Sequence, residues 1–229
     1  MTTSKRQFIP NQVFIGLPWR NVRPKYDRII PKLENNYPLY FTIVGRDDGQ
    51  DARALFEVIK SRIAASRYAV CDATAGNANV SLEYGYAEGI EVPRAIFLSA
   101  HKAAQKASAG DPIISDLTGM RRVQYKTKVT LATELHKLCR EHDYTKRFEK
   151  ALRKIQKNKG KGPKKRGRAL ALKVLKALGG KAKMRRADLV QHLQAQDYAG
   201  KEIDATLKGL HTAGVVRCTV GKYSDVHVA

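Results

Sequence analysis

Short apolar runs that alternate with helical patterns constrain the fold of the first 150 residues more than any other feature. The predicted strands lie at 13–17, 39–44, 68–71 and 95–98, with a weaker fifth at 123–125. Apolar residues recur at helical spacing at 26–35, 54–63 and 80–90, and again from about 131. Strands that read as continuous apolar runs are typical of a parallel sheet covered on both faces. The alternation therefore predicts an α/β domain with a doubly wound, flavodoxin-like parallel sheet of about five strands.

Positive charge is concentrated after this predicted domain. The net charge is +22, and 12 of the 43 basic residues lie at 146–168 with a single acid, Glu149. Residues 157–168 contain no apolar side chain, so we expect a basic flexible linker at 151–168, between domains at 1–150 and 169–229. Such a block attracts the phosphate backbone of nucleic acids through counterion release, although an anionic surface or simple solubility would also explain it.

Three short helices and a terminal hairpin are predicted for the last 60 residues. The helices lie at 170–178, 187–196 and 201–213, and strands at 215–220 and 224–228 flank a turn. This order resembles a winged helix-turn-helix, which places its third helix in the major groove of DNA. The alternative is a domain that serves protein contacts or dimerisation. The candidate DNA-binding residues, expected to contact mainly the phosphate backbone, are Lys164, Lys165, Arg166, Arg168, Lys183, Arg185, Arg186, Lys201, Lys208, Arg217 and Lys222.

Two acids frame a polar loop between the third predicted strand and the next helix. Asp72 ends the strand, and Glu83 is predicted in the first turn of the helix, with Asn79 as its N-cap. Because parallel sheets bind ligands at the carboxyl ends of their strands, both carboxylates are expected at one cleft. Each has a structural alternative, since Asp72 could cap the loop and Glu83 could stabilise the positive end of the helix dipole.

The pattern Asp72-x-Thr74-x-x-Asn77-x-Asn79-Val80-x-x-Glu83-x-Gly85-x-Ala87 resembles the nucleoside 2-deoxyribosyltransferase-like and TIR-like superfamily. An opening strand with a Pro-aromatic loop, Val13 to Trp19, and a later Asp-containing turn, Ser115 to Arg121, extend the resemblance over about residues 11–140. Tyr84 departs from it, because the family often has leucine there. The nucleotide-binding residues that the resemblance implies are Gly16, Leu17, Pro18, Trp19, Asp48, Asn77, Asn79 and Asp116.

The resemblance implies N-glycosidic chemistry, with Glu83 and Asp72 as catalytic residues. Glu83 would attack or stabilise the anomeric carbon as the base leaves, and Asp72 would orient the base or the sugar. The resemblance also leaves open a domain that binds a nucleotide without turnover, as in many relatives.

Together these features predict a nucleotide-binding protein coupled to DNA, either cleaving NAD or a nucleoside or only binding its ligand. For the cleaving form the resemblance implies a role in bacterial stress or phage defence. The alternative is a regulator that senses a nucleotide without catalysis and binds DNA. Salvage transfer of deoxyribose between bases is a third hypothesis. No cofactor is expected to be required; the small-molecule ligand or substrate expected is NAD, another nucleotide or a nucleoside, and the scattered cysteines indicate no metal site. We expect a cytoplasmic protein, nucleoid-associated when bound to DNA, without a membrane partner; homo-oligomerisation is left open.

Overall fold

The computed structural model of the chain describes residues 8–44, 52–100, 122–157, 164–179, 181, 183–219 and 225–229. Within these ranges the chain divides into two compact units. The first contains Gln12–Lys32 and Phe41–Leu138, and the second contains Ile9–Asn11, Leu33–Tyr40 and Cys139–Ala229. The second unit therefore takes in more of the chain than residues 169–229.

A five-stranded parallel sheet organises the first unit, which confirms the predicted α/β class. The strand order is β2-β1-β3-β4-β5, consistent with a flavodoxin-like core. In this order the topological switch point lies between β1 and β3. The strands are β1 (Ile9–Gly16), β2 (Tyr40–Ile43), β3 (Ser66–Asp72), β4 (Arg94–Ser99) and β5 (Arg122–Tyr125).

Four helices connect or follow these strands within the described residues. They are α1 (Arg23–Asn36), α2 (Ala52–Ala65), α3 (Ala78–Gly89) and α4 (Lys128–Glu141). Phe14 of β1, Ile63 of α2 and Ala87 of α3 meet in one buried cluster, so the apolar faces of both helices cover the sheet. This packing places the start of α3 at the carboxyl end of β3.

Four helices and a small antiparallel sheet form most of the second unit. The helices are α5 (Asp143–Lys157), α6 (Lys164–Leu178), α7 (Arg186–Gln194) and α8 (Gly200–Thr212). The strands β6 (Met184–Arg185), β7 (Val216–Cys218) and β8 (Asp225–Val228) pair in the order β6-β8-β7. The last three helices and both hairpin strands lie close to their predicted positions, whereas β6 has only two residues and no sequence pattern.

The segment predicted as a flexible linker is helical wherever the structure describes it. Residues 151–157 belong to α5 and residues 164–168 to α6, and positions 158–163 lie outside the described ranges. The helix α5 buries Tyr144, Phe148 and Leu152 at helical spacing. Burial of this one apolar face is enough to stabilise the helix despite the charged residues around it. Arg168 of α6 donates a hydrogen bond to the Glu149 carboxylate of α5 at 2.8 Å, which links the two helices.

Candidate active site

A cleft of about 120 Å³ lies at the carboxyl ends of β1 and β2. Ile15 and Gly16 line it at the end of β1, and Ile43 and Val44 line it at the end of β2. The helices α2 and α3 complete its walls. Six of the predicted site residues line this cleft together: Gly16, Leu17, Trp19, Asn77, Asn79 and Glu83.

Glu83 brings a desolvated carboxylate to the cleft. Its Oε2 atom is buried and has no hydrogen-bond partner among the described residues. Burial raises the pKa of Glu83 to about 7. Because α3 begins at Ala78, Glu83 lies in its second turn rather than its first, so the helix dipole is a weak explanation for this acid. A buried acid with a raised pKa in a cleft is typical of a functional site.

Gly16 makes room for the Glu83 side chain. A Cβ at position 16 would overlap Glu83 Oε2 and lie 3.2 Å from Glu83 Cδ. The Glu83 carboxylate therefore lies so close to the backbone of residue 16 that only glycine fits at this position.

Exposed apolar side chains surround the cleft. Trp19, Phe56 and Leu82 are 54%, 41% and 55% exposed, and all three line it. The Arg23 guanidinium lies 4.2 Å from the Trp19 ring centroid and holds the indole by a cation–π contact. Large apolar residues exposed together around a concave site indicate ligand binding. Sequence reasoning missed Phe56 and Leu82; the available signal was a large apolar residue at a solvent-facing helical position.

Asp72 does not join Glu83 at the cleft, which corrects the expectation that the two acids converge. Its side chain is 0% exposed and does not belong to the cleft lining among the described residues. Its Oδ2 accepts hydrogen bonds from the hydroxyls of Tyr26 at 3.0 Å and Tyr125 at 2.8 Å. Its Oδ1 accepts from the Thr74 hydroxyl at 2.6 Å and the Thr74 backbone N–H at 3.1 Å. Burial raises the pKa of Asp72, and these hydrogen bonds oppose the rise.

Asp72 thus anchors the start of the loop, and Asn77 caps its end. The Asn77 side-chain oxygen accepts from the backbone N–H groups of Asn79 at 3.0 Å and Val80 at 3.2 Å. The N-cap is therefore Asn77, not Asn79, because the helix begins two residues earlier than predicted. Tyr84 is buried against the Cys71 and Ile96 side chains, so its ring is part of the core.

Three predicted nucleotide-binding residues remain: Pro18, Asp48 and Asp116. Pro18 lines a neighbouring cavity that also contacts Trp19. Asp48 and Asp116 lie outside the described residues, as does Lys222 of the predicted DNA-binding set.

Four of the eleven predicted DNA-binding residues form ion pairs within the second unit. The pairs are Arg166–Glu202 at 3.1 Å, Arg168–Glu149 at 2.8 Å, Lys183–Asp225 at 3.0 Å and Arg186–Asp204 at 2.7 Å. By contrast, Lys201, Lys208 and Arg217 are exposed and have no acidic partner in the part of the chain that the structure describes. Arg185 is exposed in β6, and Lys164 and Lys165 begin α6.

Comparison of the chain with protein families, with curated proteins and with solved structures gives no match. Among the described residues, no three His, Cys, Asp or Glu side chains lie close enough together to hold a metal ion. No helix in those same ranges has the length and apolar character needed to cross a membrane.

Proposed function

We propose that the first unit binds a nucleotide in the Glu83 cleft and cleaves its N-glycosidic bond. The observation that carries this proposal is the unpartnered, buried Glu83 oxygen beneath an exposed aromatic rim. Trp19 and Phe56 offer flat faces on which a base can stack. A carboxylate beside the sugar lowers the barrier to breaking its bond to the base, because positive charge develops on the anomeric carbon.

In this reaction an oxygen of the ionised Glu83 attacks the anomeric carbon, and the base departs with the electron pair of the broken bond. Water then hydrolyses the resulting glycosyl ester and regenerates the carboxylate. Retaining glycosidases use a second carboxyl group to protonate the leaving group. Glu83 is the only acid lining the cleft among the described residues, so a leaving group that needs no proton fits best. The pyridinium of NAD meets this condition, because nicotinamide leaves as a neutral molecule.

The test incubates the full-length protein with NAD or with nucleosides, with and without duplex DNA, and measures the released base by chromatography. We expect nicotinamide release, and we expect Glu83→Gln to abolish it. Glu91→Gln, an exposed acid just beyond α3, is the matched control and should leave the rate unchanged. Unaltered turnover by the Glu83→Gln protein would remove this side chain from the mechanism.

A non-enzymatic nucleotide sensor is the second candidate, favoured by the absence of Asp72 from the cleft. A single carboxylate that is half protonated near pH 7 is also suited to binding without chemistry. Tight binding of NAD or a nucleotide with no base released, whether DNA is present or absent, would support the sensor over the enzyme.

We propose further that the second unit contains a winged helix-turn-helix that binds DNA. The order α6-β6-α7-α8-β7-β8, with β6 paired to the hairpin strand β8, supports this assignment. Lys201 and Lys208 lie seven residues apart on α8 and therefore share one exposed face. Few residues on this face suit base-edge readout, so phosphate contacts should dominate and affinity should fall steeply with salt.

The DNA test uses point variants of the full chain rather than a truncation. The Tyr144 hydroxyl of α5 donates to the Val215 carbonyl at 2.7 Å, so a cut near residue 157 would leave the second unit without one of its helices. Fluorescence anisotropy of a labelled duplex between 50 and 200 mM salt should show tight, salt-sensitive binding. Absence of binding at the lowest salt would refute the assignment.

A further inference from the structure

A second cavity of about 360 Å³ lies beside the Glu83 cleft. Trp19, Asn77 and Asn79 line both spaces, so the indole stands at their common wall. The two spaces differ in charge. The cleft is lined by the acid Glu83 and by Lys60, whose ammonium group is paired with Glu57 at 2.6 Å, whereas the second cavity is lined by Arg20 and has no acid among its described lining residues.

The residues that line the second cavity carry more hydrogen-bond donors than acceptors, because Arg20, Asn21, Asn77 and Asn79 all have side-chain N–H groups and only Asn21 and Asn79 add an uncommitted amide oxygen. Arg20 is exposed and has no acidic partner in the part of the chain that the structure describes. The Asn77 side-chain oxygen is occupied by capping α3, which leaves its amide N–H groups as the free part of that side chain. The Thr74 hydroxyl already donates its proton to Asp72. A guanidinium with amide donors and no carboxylate is complementary to an anion.

We propose that the Arg20 cavity binds the phosphate of the ligand whose sugar lies at Glu83, so that the natural ligand is a phosphorylated nucleotide rather than a free nucleoside. This inference rests on the proposed function of the Glu83 cleft. The charge difference orients the ligand, because a phosphate placed in the cleft would meet the Glu83 carboxylate and at Arg20 meets a cation. The Trp19 ring at the shared wall lets one ligand span both spaces.

Trp19 is the only tryptophan of the chain, so its fluorescence reports occupancy of either space in the native protein. Matched pairs of probes differ only in the phosphate: adenosine and AMP, guanosine and GMP, cytidine and CMP, uridine and UMP. For whichever base binds, we expect the monophosphate to bind about tenfold or more tightly than the nucleoside, as expected for a charge-assisted hydrogen bond. Rising salt should reduce this gap, the difference in affinity between the monophosphate and the nucleoside.

Arg20→Ala should remove most of the gap while leaving the nucleoside affinity unchanged. Arg28→Ala removes an equal charge from an exposed position on α1 and should preserve the gap. Equal affinities for nucleoside and monophosphate, or an equal loss of both in the Arg20→Ala protein, would overturn the phosphate site but leave the Glu83 cleft standing. If no probe binds by fluorescence or by equilibrium dialysis, the phosphate site fails, whereas nicotinamide release from NAD decides the proposed function of the Glu83 cleft separately.

Discussion

Gly16 and Glu83 occupy complementary space: the glutamate carboxylate lies where a Cβ on residue 16 would be. The two residues come from different elements, the end of β1 and the second turn of α3. The position of the proposed reactive carboxylate therefore depends on a missing side chain 67 positions earlier in the sequence.

Gly16→Ala is expected to displace Glu83 and abolish base release. The overlap should also lower the free energy of unfolding by about 1–3 kcal/mol, as overpacking usually does. Gly85→Ala is the matched control, because a Cβ there meets no atom within 4 Å on an exposed position of α3. It should retain activity and gain about 0.5–1 kcal/mol through helix propensity. Full activity in the Gly16→Ala protein, measured as nicotinamide release, would argue against the Gly16–Glu83 relationship.

The raised pKa of Glu83 predicts a pH-dependent stability cost. The pKa is about 7 in the folded protein against an ordinary value of 4.5, so the folded state binds the proton more tightly. The stabilisation of the folded state by this tighter proton binding is complete below pH 4.5 and is lost as the pH rises through 7. Glu83→Gln should therefore be more stable than the wild type above pH 8, by about 3 kcal/mol at most, and similar near pH 4.5. Urea unfolding at both pH values measures the difference, and parallel pH profiles of the two proteins would contradict it.

Activity should follow the same ionisation. Because only the deprotonated Glu83 can attack, base release should rise with pH through about 7 and then level off. Initial rates from pH 5.5 to 8.5 give the profile. A rate that falls over this range would show that the protonated carboxyl group is the active form.

The Asp72 network predicts a structural role for that acid. Asp72→Ala leaves three buried hydroxyls, those of Tyr26, Thr74 and Tyr125, without their acceptor. We expect a loss of at least about 3 kcal/mol in the free energy of unfolding, because each unsatisfied buried group costs about 1–3 kcal/mol. Asp27→Ala, which removes an exposed acid paired with Arg23, should change it by less than about 1 kcal/mol. Equal stability of the two variants in urea would contradict the network.

The features that were predictable from sequence are those set by neighbouring residues. Apolar runs and helical spacing are local, so the α/β class and the sheet of about five strands could be predicted. Gly16, Leu17, Trp19 and Asn77 were implied by the resemblance. They meet at the carboxyl edge of the sheet because Gly16 ends β1 and the other three lie in the loops that follow β1 and β3.

The features that could not be predicted depend on distant partners. Asp72 follows a strand as expected, but the hydroxyls that bind it lie 46 and 53 residues away at Tyr26 and Tyr125. The direction of its side chain is therefore decided by tertiary packing. The basic segment at 151–168 was misleading for a related reason: its first residues belong to α5, where Phe148 and Leu152 are buried while Arg153 and Lys154 are exposed to solvent.

The ion pair between Arg186 and Asp204 leads to a prediction about DNA binding. Asp204 lies on the exposed face of α8 between Lys201 and Lys208, and Arg186 of α7 neutralises it at 2.7 Å. Lys201→Ala and Lys208→Ala should each weaken binding of a labelled duplex and reduce its salt slope by about one. Lys176→Ala removes an exposed charge from α6 and should leave the slope unchanged.

Arg186→Ala should weaken DNA binding by uncovering the Asp204 carboxylate, and Asp204→Asn alone should strengthen it. If Arg186 acts only through Asp204, the protein with both substitutions binds the duplex about as tightly as the wild type. A double variant that stays as weak as Arg186→Ala would instead show that Arg186 contacts phosphate itself. Because this pair is exposed, its loss should change the free energy of unfolding by no more than about 1 kcal/mol. The changes in affinity, measured by anisotropy at constant salt, are therefore separable from changes in folding.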